Sequence, residues 1–532
     1  MASDGATVSR SSAVVLAVDL GTGGPKVALV DLGGAVLDSR HERVEPRVSA
    51  HGAALQDPND WWRAVRQATR ELLEAHPRTA GSLAAVAATG QWGSTVPVDD
   101  SGEAVGDCML WMDSRGGEHA RRVLGGRVSV EGFAPRTILE WIRRAGGAPS
   151  TEGNDPLGHR LWIRHEEPDL YRRTATFLEP LDYLNARFCG EVAASQTSML
   201  LSWLTDNRRL AQVDYDPTLV RLAQVDPARL PRLVPTGATV GTIGAAVAED
   251  LGIPEGVPVV TALPDLLSAT LGSGAIAMYE AHLAISTSAW VGCHTPSKKT
   301  SVAKQMATVP SAMGDRYVLA NNHETAGVCL EWARSLLVTA EDSLTAPRAS
   351  SLADLDAVAA TAASGSGGVL FAPWLNGERS PVADADLRGG FHNLSLSTTR
   401  AELLRSVLEG VAHNNRWLLE ASESVLRKPL GSPRVIGGGA QSDLWCQIHA
   451  DVLGRPLRRV EEPLLANVRG AAFFAGISLG LLDPAEVPGR VAVERTFTPD
   501  PDARAVHDAM HREFVRLHRI EKGMYRRLAT LR

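Results

Sequence analysis

The sequence predicts a chain of mixed strands and helices, α/β or α+β in class, and three observations carry that expectation. Short apolar strands alternate with amphipathic helical stretches to about residue 275. A second half opens on a strand of similar plan: "LAVDLGTGG" (16–24) and "LAISTSAW" (283–290) both run from apolar residues into a small, Thr-bearing turn. The composition is globular, 44% hydrophobic and 22% charged over 532 residues, a length that predicts two to four domains.

Residues 1–12 are mostly polar and are expected to form a disordered arm. The apolar run that follows is short and ends in Asp19, so it reads as a strand and not as the core of a signal peptide. The stretch "AVVLAVDLGTGGPKVALVDLGGAVLDSR" (13–40) predicts three antiparallel strands joined by two tight glycine turns. A helix follows in "DPNDWWRAVRQATRELLEAH" (57–76), with Asp57 as N-cap, Pro58 in the first helical position and Trp61, Val65, Ala68 and Leu72 on one stripe. "LAAVAAT" (83–89) is a buried strand, and "AHLAISTSAWVGCH" (281–294) reads as an apolar strand closing in a run of small hydroxyl residues. Residues 397–420 form a helix with a capping box at Thr399 and Glu402 and a stripe through Leu404, Leu408 and Val411. "RVIGGGAQSDLWCQIHADVLG" (434–454) reads as strand, glycine turn and helix, with Gly454 as the C-terminal cap. Residues 467–482 make a Gly- and Ala-rich helix able to pack closely on a neighbour, and the last residues, 511–532, make a basic amphipathic helix. That helix is expected to lie on the body with a solvated face, a subunit contact in a homodimer being the alternative.

A net charge of −7 argues against a nucleic-acid partner. No uninterrupted apolar run reaches the 18 or so residues of a membrane helix, so no membrane partner is expected. Five scattered cysteines with no CxxC pair exclude a disulfide framework and a zinc site, and point to a reducing, cytoplasmic setting. A large enzyme is the default class.

Three small-residue turns carry the chemistry. In "DLGTGGPK" (19–26), glycine N–H groups can approach phosphate oxygens, Thr22 adds a hydroxyl, Lys26 a positive charge, and Asp19 can hold Mg²⁺ through water. The plain alternative is a hairpin with a capping Asp. In "STSAW" (286–290), Thr287 and Ser288 can donate to a phosphate, or simply end a strand. In "IGGGAQSDLW" (436–445), three glycines set a helix N-terminus toward an anion or nucleotide. The last is neither a dinucleotide fingerprint nor a Walker loop, because the glycine spacing differs and no Gly-Lys-Ser/Thr follows. Together, three such turns at strand ends in two halves are suited to clamping a nucleoside triphosphate.

The chain resembles the FGGY carbohydrate kinases. The resemblance is most specific in "LFAPWLNGERSPVADADLRGGFHNLSLSTTRAELLRSVLEGVAHNNR" (370–416), with "GGGAQSDLWCQIHADVLGRPL" (437–457) matching the adenosine-side motif and "VDLGTGGPK" (18–26) the N-terminal phosphate motif. "LWMDSR" (110–115) and "EPLDYLNARFCGE" (179–191) are similar to the family's sugar-domain landmarks. The resemblance implies two ribonuclease-H-like domains of the actin and hexokinase kind, with ATP and the sugar meeting in a cleft between them. It places the arm at 1–12, an N-terminal sugar-binding domain at 13–276, an ATP-binding domain at 277–495 and a helical tail at 496–532.

It also implies roles. Asp265, in "ALPDLLSATLGSG" (262–274), lies where the family keeps its catalytic aspartate, and a carboxylate in reach of a sugar hydroxyl can take its proton as the new bond to phosphorus forms. Asp19, Thr22, Lys26, Thr287, Ser288 and Gly327 line the phosphates, with Asp19 toward Mg²⁺, and Gly438, Gly439 and Ser442 lie along the nucleoside. Gly439 in particular is expected to admit close backbone approach to the nucleotide. Gln91, Trp92, Asp113 and Asp265 face the sugar, and Trp111 and Arg115 lie near enough to reach it, though Trp111 is expected first to fill core. The sequence departs from the family at Leu263, Pro264, Leu266 and Ser286. It departs again in "TGQWGS" (89–94), where Trp92 and Gly93 replace the usual polar substrate contacts. Trp92 either stacks on a sugar face or fills core. The implied activity is ATP- and Mg²⁺-dependent phosphorylation of a small sugar or polyol, a ketopentose such as xylulose first, with a tetritol, glycerol or another pentulose as alternatives. A nucleotide-binding regulator without transfer activity and an actin-like assembling ATPase are the readings from other classes.

Overall fold

The computed structural model describes residues 13–129, 132–209, 211–314, 316–338 and 350–531; the arm expected at 1–12 lies outside them. Contacts divide the chain into two units. One comprises residues up to Gly274 with Val309–Tyr317 and Leu465–Arg490; the other comprises Ala275–Thr308, Val318–Leu464 and Val491–Arg532. The boundary expected at 276/277 thus falls two residues earlier, and Leu465–Arg490, expected in the second domain, clusters with the first. Glycines explain the second difference. The helix Ala466–Ser478 crosses the helix Asp265–Gly272 so closely that a Cβ on Gly470 would overlap the Ser268 carbonyl, and one on Gly272 would overlap that of Ala466.

In the first unit the expected meander is present: Val14–Gly21, Gly24–Asp31 and Val36–His41 pair antiparallel in sequence. Gly24 makes the first turn possible, since at φ +117 a side chain there would strike the Glu42 carbonyl. Parallel strands need a crossover, and the helix Pro58–Ala75 supplies it between Val14–Gly21 and Leu83–Gly90. Asp57 caps that helix by accepting from the Asn59 N–H, and Trp61, Val65, Ala68 and Leu72 are fully buried. The sheet runs in the order Thr239–Thr242, Pro258–Val260, Leu83–Gly90, Val14–Gly21, Gly24–Asp31, Val36–His41, with Leu263–Pro264 also beside Leu83–Gly90.

The second unit repeats this plan. The stretch read as one strand from Ala281 is a hairpin, Ala281–Ile285 against Ala289–Thr295, with the hydroxyl run as its turn. Arg434–Ile436 then pairs parallel to Ala281–Ile285, as Leu83–Gly90 does to the first strand. The eight-stranded sheet continues outward through Leu457–Val460 to Val493–Phe497 on one side and through Tyr317–Ala320 and Met306–Pro310 to Thr300–Ser301 on the other. The helix expected at 397–420 spans Arg400–Leu426 behind its capping box, and the turn after it begins at Arg427 in the left-handed region. The Gly- and Ala-rich helix ends at Ser478 instead of 482. The C-terminal helix is longer than its basic end suggested, Pro501–Ala529, and buries His507, Met510, His511 and Phe514 against its own unit. Among the described residues no helix is long and apolar enough to cross a membrane.

Candidate active site

Strand register brings the acidic residues of the first unit to one edge. Asp19 stands beside Thr89 in the parallel pair, and Leu263 stands beside Thr89 on the other side, so Asp265 follows two residues on. Asp19, near the end of Val14–Gly21, and Asp265, just past the end of Leu263–Pro264, therefore belong to strands two spacings apart, about 10 Å between strand backbones, toward the C-terminal edge where open parallel sheets place ligands. Pro264 ends its strand and Asp265 begins the helix Asp265–Gly272, so its carboxylate sits at a helix N-terminus, with one oxygen accepting from the Leu266 N–H at 2.7 Å. Burial raises the Asp265 carboxyl to about 7; the Asp19 charge raises it further and the Leu266 N–H opposes.

Asp19 is also raised by burial, against the pull of Lys26, Asn467 and His41. Lys26 is its cross-strand neighbour in the hairpin, and Asn467 Nδ2 donates to Asp19 Oδ2 at 3.3 Å from the helix that packs on Asp265–Gly272. Nothing in the local sequence marks Asn467: it opens a helix of Gly and Ala, and only the glycine crossing brings it here.

The turn between Gly90 and Val96 holds the expected acceptor residues. Gln91 is buried; Ser94 Oγ lies 3.5 Å from its Oε1, and its Nε2 meets no partner in the protein. Trp92 is half-buried, and its indole N–H donates to the Ser198 carbonyl at 2.7 Å, so the ring is held in one pose. Beneath them lies Glu179, whose Oε2 accepts the N–H groups of Gly93 and Ser94 at 3.0 and 3.2 Å. Burial pushes Glu179 well above the carboxylate range; the neighbouring Asp182 adds to this, and Arg160 opposes it. Both Asp182 oxygens and the Glu179 Oε1 are buried without a protein partner. Sequence reasoning passed over Glu179 and Asp182, although two acids three residues apart in the apolar context of "LEPLDYL" (178–184) are a usable signal.

Asp113 is placed differently from expectation. It is wholly buried, and both oxygens are engaged by the protein: Oδ2 accepts from the Ala54 N–H at 3.0 Å, in the strand Ala54–Gln56, and from Arg115 Nη2 at 2.7 Å, while Oδ1 accepts from the Arg115 N–H at 3.1 Å. It holds the loop that carries Trp111, and it draws Arg115 inward, over the Trp162 ring. Trp111 reaches the first hairpin, its indole N–H donating to Thr22 Oγ1 at 3.2 Å.

The second unit gathers its own set. In the hairpin turn Ser286–Ser288, the Ser286 N–H donates to the Ser288 carbonyl at 2.8 Å, and Thr287 is exposed. The turn is tied to the start of the helix Gly327–Leu337: the Ala326 N–H donates to the Thr287 carbonyl at 2.9 Å and the Gly327 N–H to that of Ser286 at 2.8 Å. A side chain at Gly327 would overlap the Ser286 carbonyl, which explains the glycine. Across the sheet, Gly437 has φ +90, and Gly438–Gln441 form one turn of 3₁₀-helix. The two glycines there differ. A Cβ on Gly438 meets only Leu464 Cδ1 at 3.9 Å, whereas one on Gly439 would strike Ile285 and Trp445. The close approach at Gly439 is thus to the protein's own core, and Gly438 is the position with open space above it. Ser442 caps the helix Asp443–Leu453 by accepting from the Trp445 N–H at 3.0 Å.

The arrangement in the first unit suits proton abstraction beside a charge-neutralising group. Among the described residues no cluster of three or more His, Cys, Asp or Glu side chains is arranged to hold a metal ion. A hard cation such as Mg²⁺ takes one or two carboxylates and completes its shell with water and phosphate. Asp19, half-buried and flanked by Lys26 and Asn467, is a carboxylate such an ion could use.

Comparisons with known proteins place these elements in context. Residues 14–272 match the family model described as FGGY family of carbohydrate kinases, N-terminal domain, and residues 281–479 match its C-terminal domain. A xylulose kinase of Staphylococcus epidermidis is 27% identical over 525 residues, covering 97% of this chain and 99% of that protein. A gluconokinase of Bacillus subtilis is 24% identical over 521 residues, covering 97% of each. The crystal structure of a ligand-bound xylulose kinase from Lactobacillus acidophilus superposes with a TM-score of 0.83 at 21% identity, covering 97% of this chain and 99% of that one.

Proposed function

The chain belongs to the FGGY family of carbohydrate kinases, and from that premise we propose that it transfers the terminal phosphoryl group of ATP to a hydroxyl of a ketopentose such as xylulose, in the cytoplasm, with Asp265 as general base. The observation that carries the base assignment is the Asp265 carboxyl itself, half-buried at the start of the helix Asp265–Gly272 and raised to about 7, with the Asp19 charge adding to the shift. A base with that affinity for protons takes one from an alcohol far better than an ordinary carboxylate, and is still largely ionised just above neutrality. Gln91, with its buried and unpartnered Nε2, is the donor best placed to orient the acceptor, and the fixed ring of Trp92 offers it an apolar face.

In the first unit Thr22 and Lys26 supply a hydroxyl and a charge for phosphate; in the second, Thr287 and Ser288 supply hydroxyls, and Gly327 lines them without a side chain of its own. Gly438 leaves room for the nucleoside. Mg²⁺, held by Asp19 directly or through water, neutralises phosphate charge when bound.

The test is ADP release across a panel of xylulose, other pentuloses, tetritols, glycerol and gluconate. Turnover is expected first with the pentuloses. Turnover only with gluconate or glycerol overturns the acceptor assignment. Binding of ATP with no turnover on any acceptor favours the regulator instead. Asp265→Asn is expected to lower kcat by a factor of about 100 or more while ATP still raises the melting temperature; wild-type turnover in that variant removes the base.

A further inference from the structure

Trp111 touches both halves of the first unit's site. Its backbone N–H donates to Ser94 Oγ at 2.9 Å, in the turn that presents Gln91 and Trp92, and its indole N–H donates to Thr22 Oγ1 at 3.2 Å, in the phosphate hairpin. Each contact is backed by a second. Ser94 is anchored through its own N–H on Glu179 Oε2 at 3.2 Å. The Thr22 carbonyl accepts from Gln56 Nε2 at 2.8 Å, and the same amide group donates to the Val44 carbonyl at 2.6 Å. Gln56 Oε1 in turn accepts from the buried Trp61 indole at 3.2 Å. The loop carrying Trp111 is itself fixed by the Asp113 carboxylate on the Ala54 N–H.

An indole N–H can only donate, whereas a threonine hydroxyl both donates and accepts. A Thr22 oxygen that receives the indole N–H therefore turns its own proton away from Trp111. Phosphate oxygens are acceptors only, so a hydroxyl set in this way is already committed to the role a phosphate needs. We propose that Trp111 is a positioning residue for phosphoryl transfer: it sets the Thr22 hydroxyl as a donor toward the phosphates and ties that hydroxyl to the turn that presents the acceptor. The proposal rests on the reading of Thr22 as a phosphate ligand.

A double-mutant cycle tests it. Trp111→Phe keeps the ring and deletes the donor; Thr22→Val keeps the shape and deletes the hydroxyl. The loss of one such hydrogen bond corresponds to about a fivefold fall in kcat for Trp111→Phe, with the KM for the acceptor changed less than about twofold. Thr22→Val is expected to lower kcat further, and Trp111→Phe placed on top of it to add nothing. In a Thr22→Ser background, which retains the hydroxyl, the fivefold effect returns.

If Trp111→Phe lowers kcat by the same factor with and without the Thr22 hydroxyl, the ring acts through packing and the proposal is overturned. It is overturned as well if Trp111→Phe turns over like wild type. If Thr22→Val itself leaves kcat unchanged, the reading of Thr22 as a phosphate ligand falls, and Trp111 with it; the cycle separates that case from the first two. Should Trp111→Phe fail to fold, Trp111→Gln, which restores a donor without the ring, is compared with Trp111→Leu, and a higher kcat for the Gln variant is the expected result; equal values overturn the proposal.

Discussion

At the scale of the residue, Asp265 works against the stability of the fold that holds it. Its carboxyl is raised to about 7 by burial and by Asp19, whereas an unfolded chain would ionise it near the usual carboxylate value. Between those two values the folded state binds more protons than the unfolded one, so this group's contribution to stability declines as pH rises through the window and stays lost above about 7. As the proposed base, Asp265 acts in its ionised form. The acidic limb of kcat/KM is accordingly expected near pH 7, with activity falling below it, and Asp265→Asn is expected to melt at a higher temperature than wild type at pH 8 while turning over poorly. A limb below pH 5, or a less stable Asn variant, would contradict the placement.

The sequence singles out Asp265 because a family motif surrounds it. Asn467, far away in sequence, was not legible, since its contact with Asp19 depends on a helix crossing that no local pattern announces. The partners of Asp113 stay hidden for a related reason. An acid in a loop reads as available, and only the fold shows its oxygens taken by Ala54 and Arg115.

At the scale of the element, the glycine turn at 437–441 divides its work between neighbours. Gly438→Val points into open space and is expected to leave the melting temperature nearly unchanged while raising the KM for ATP about tenfold. Gly439→Val drives a branched side chain into Ile285 and Trp445, an overpacking that costs about 1–3 kcal/mol of stability. The two variants, compared by thermal melts and ATP titration, separate a ligand-facing glycine from a core-facing one. The sequence marks both alike, because it shows three glycines and not which way each absent side chain would point.

The helices Arg400–Leu426 and Pro501–Ala529 make a different prediction. His413 packs between the rings of His507 and His511, at centroid separations of 5.6 and 5.7 Å, and neither ring nitrogen of His413 or His507 meets a partner in the protein. Burial holds His413 well below its ordinary value, reinforced by the charges of His507, His511, Arg416 and His449; burial also lowers His507. Below pH 6.5 the unfolded chain takes up protons that these folded histidines refuse, so stability falls as the pH drops, by up to about 1.4 kcal/mol per pH unit for each. Urea unfolding at pH 7 and pH 5 should show that loss, and His413→Leu should reduce it. An unchanged slope would contradict the assignment. The basic, amphipathic character of the last helix was readable from its charges, but its true start at Pro501 was not, since the buried histidines look polar in the sequence.

At the scale of the whole molecule, the two units repeat one plan, a hairpin followed by a parallel strand. The sequence hinted at it through two similar strand ends, and the hint was sound although the second strand proved to be a hairpin. What stayed hidden is the connectivity. Chain order places Leu465–Arg490 in the second half, and contacts place it in the first unit. Residues 13–274 expressed alone are therefore expected to lack a cooperative thermal transition. The same segment joined to 465–490 through a short linker is expected to recover one, since Gly272 already lies against Ala466. Circular dichroism melts of the two fragments check this, and a cooperative melt of 13–274 alone would contradict it.

That returning helix has a consequence for inheritance. A gene spliced from the front of one relative and the back of another would marry the helix Asp265–Gly272 of one lineage to the crossing helix of the other. A single residue larger than glycine at 272 or 470 would be enough to spoil the union. Recombination that trades acceptor preference between lineages must then cut on both sides of the returning stretch, or tolerate only partners whose crossing has stayed bare.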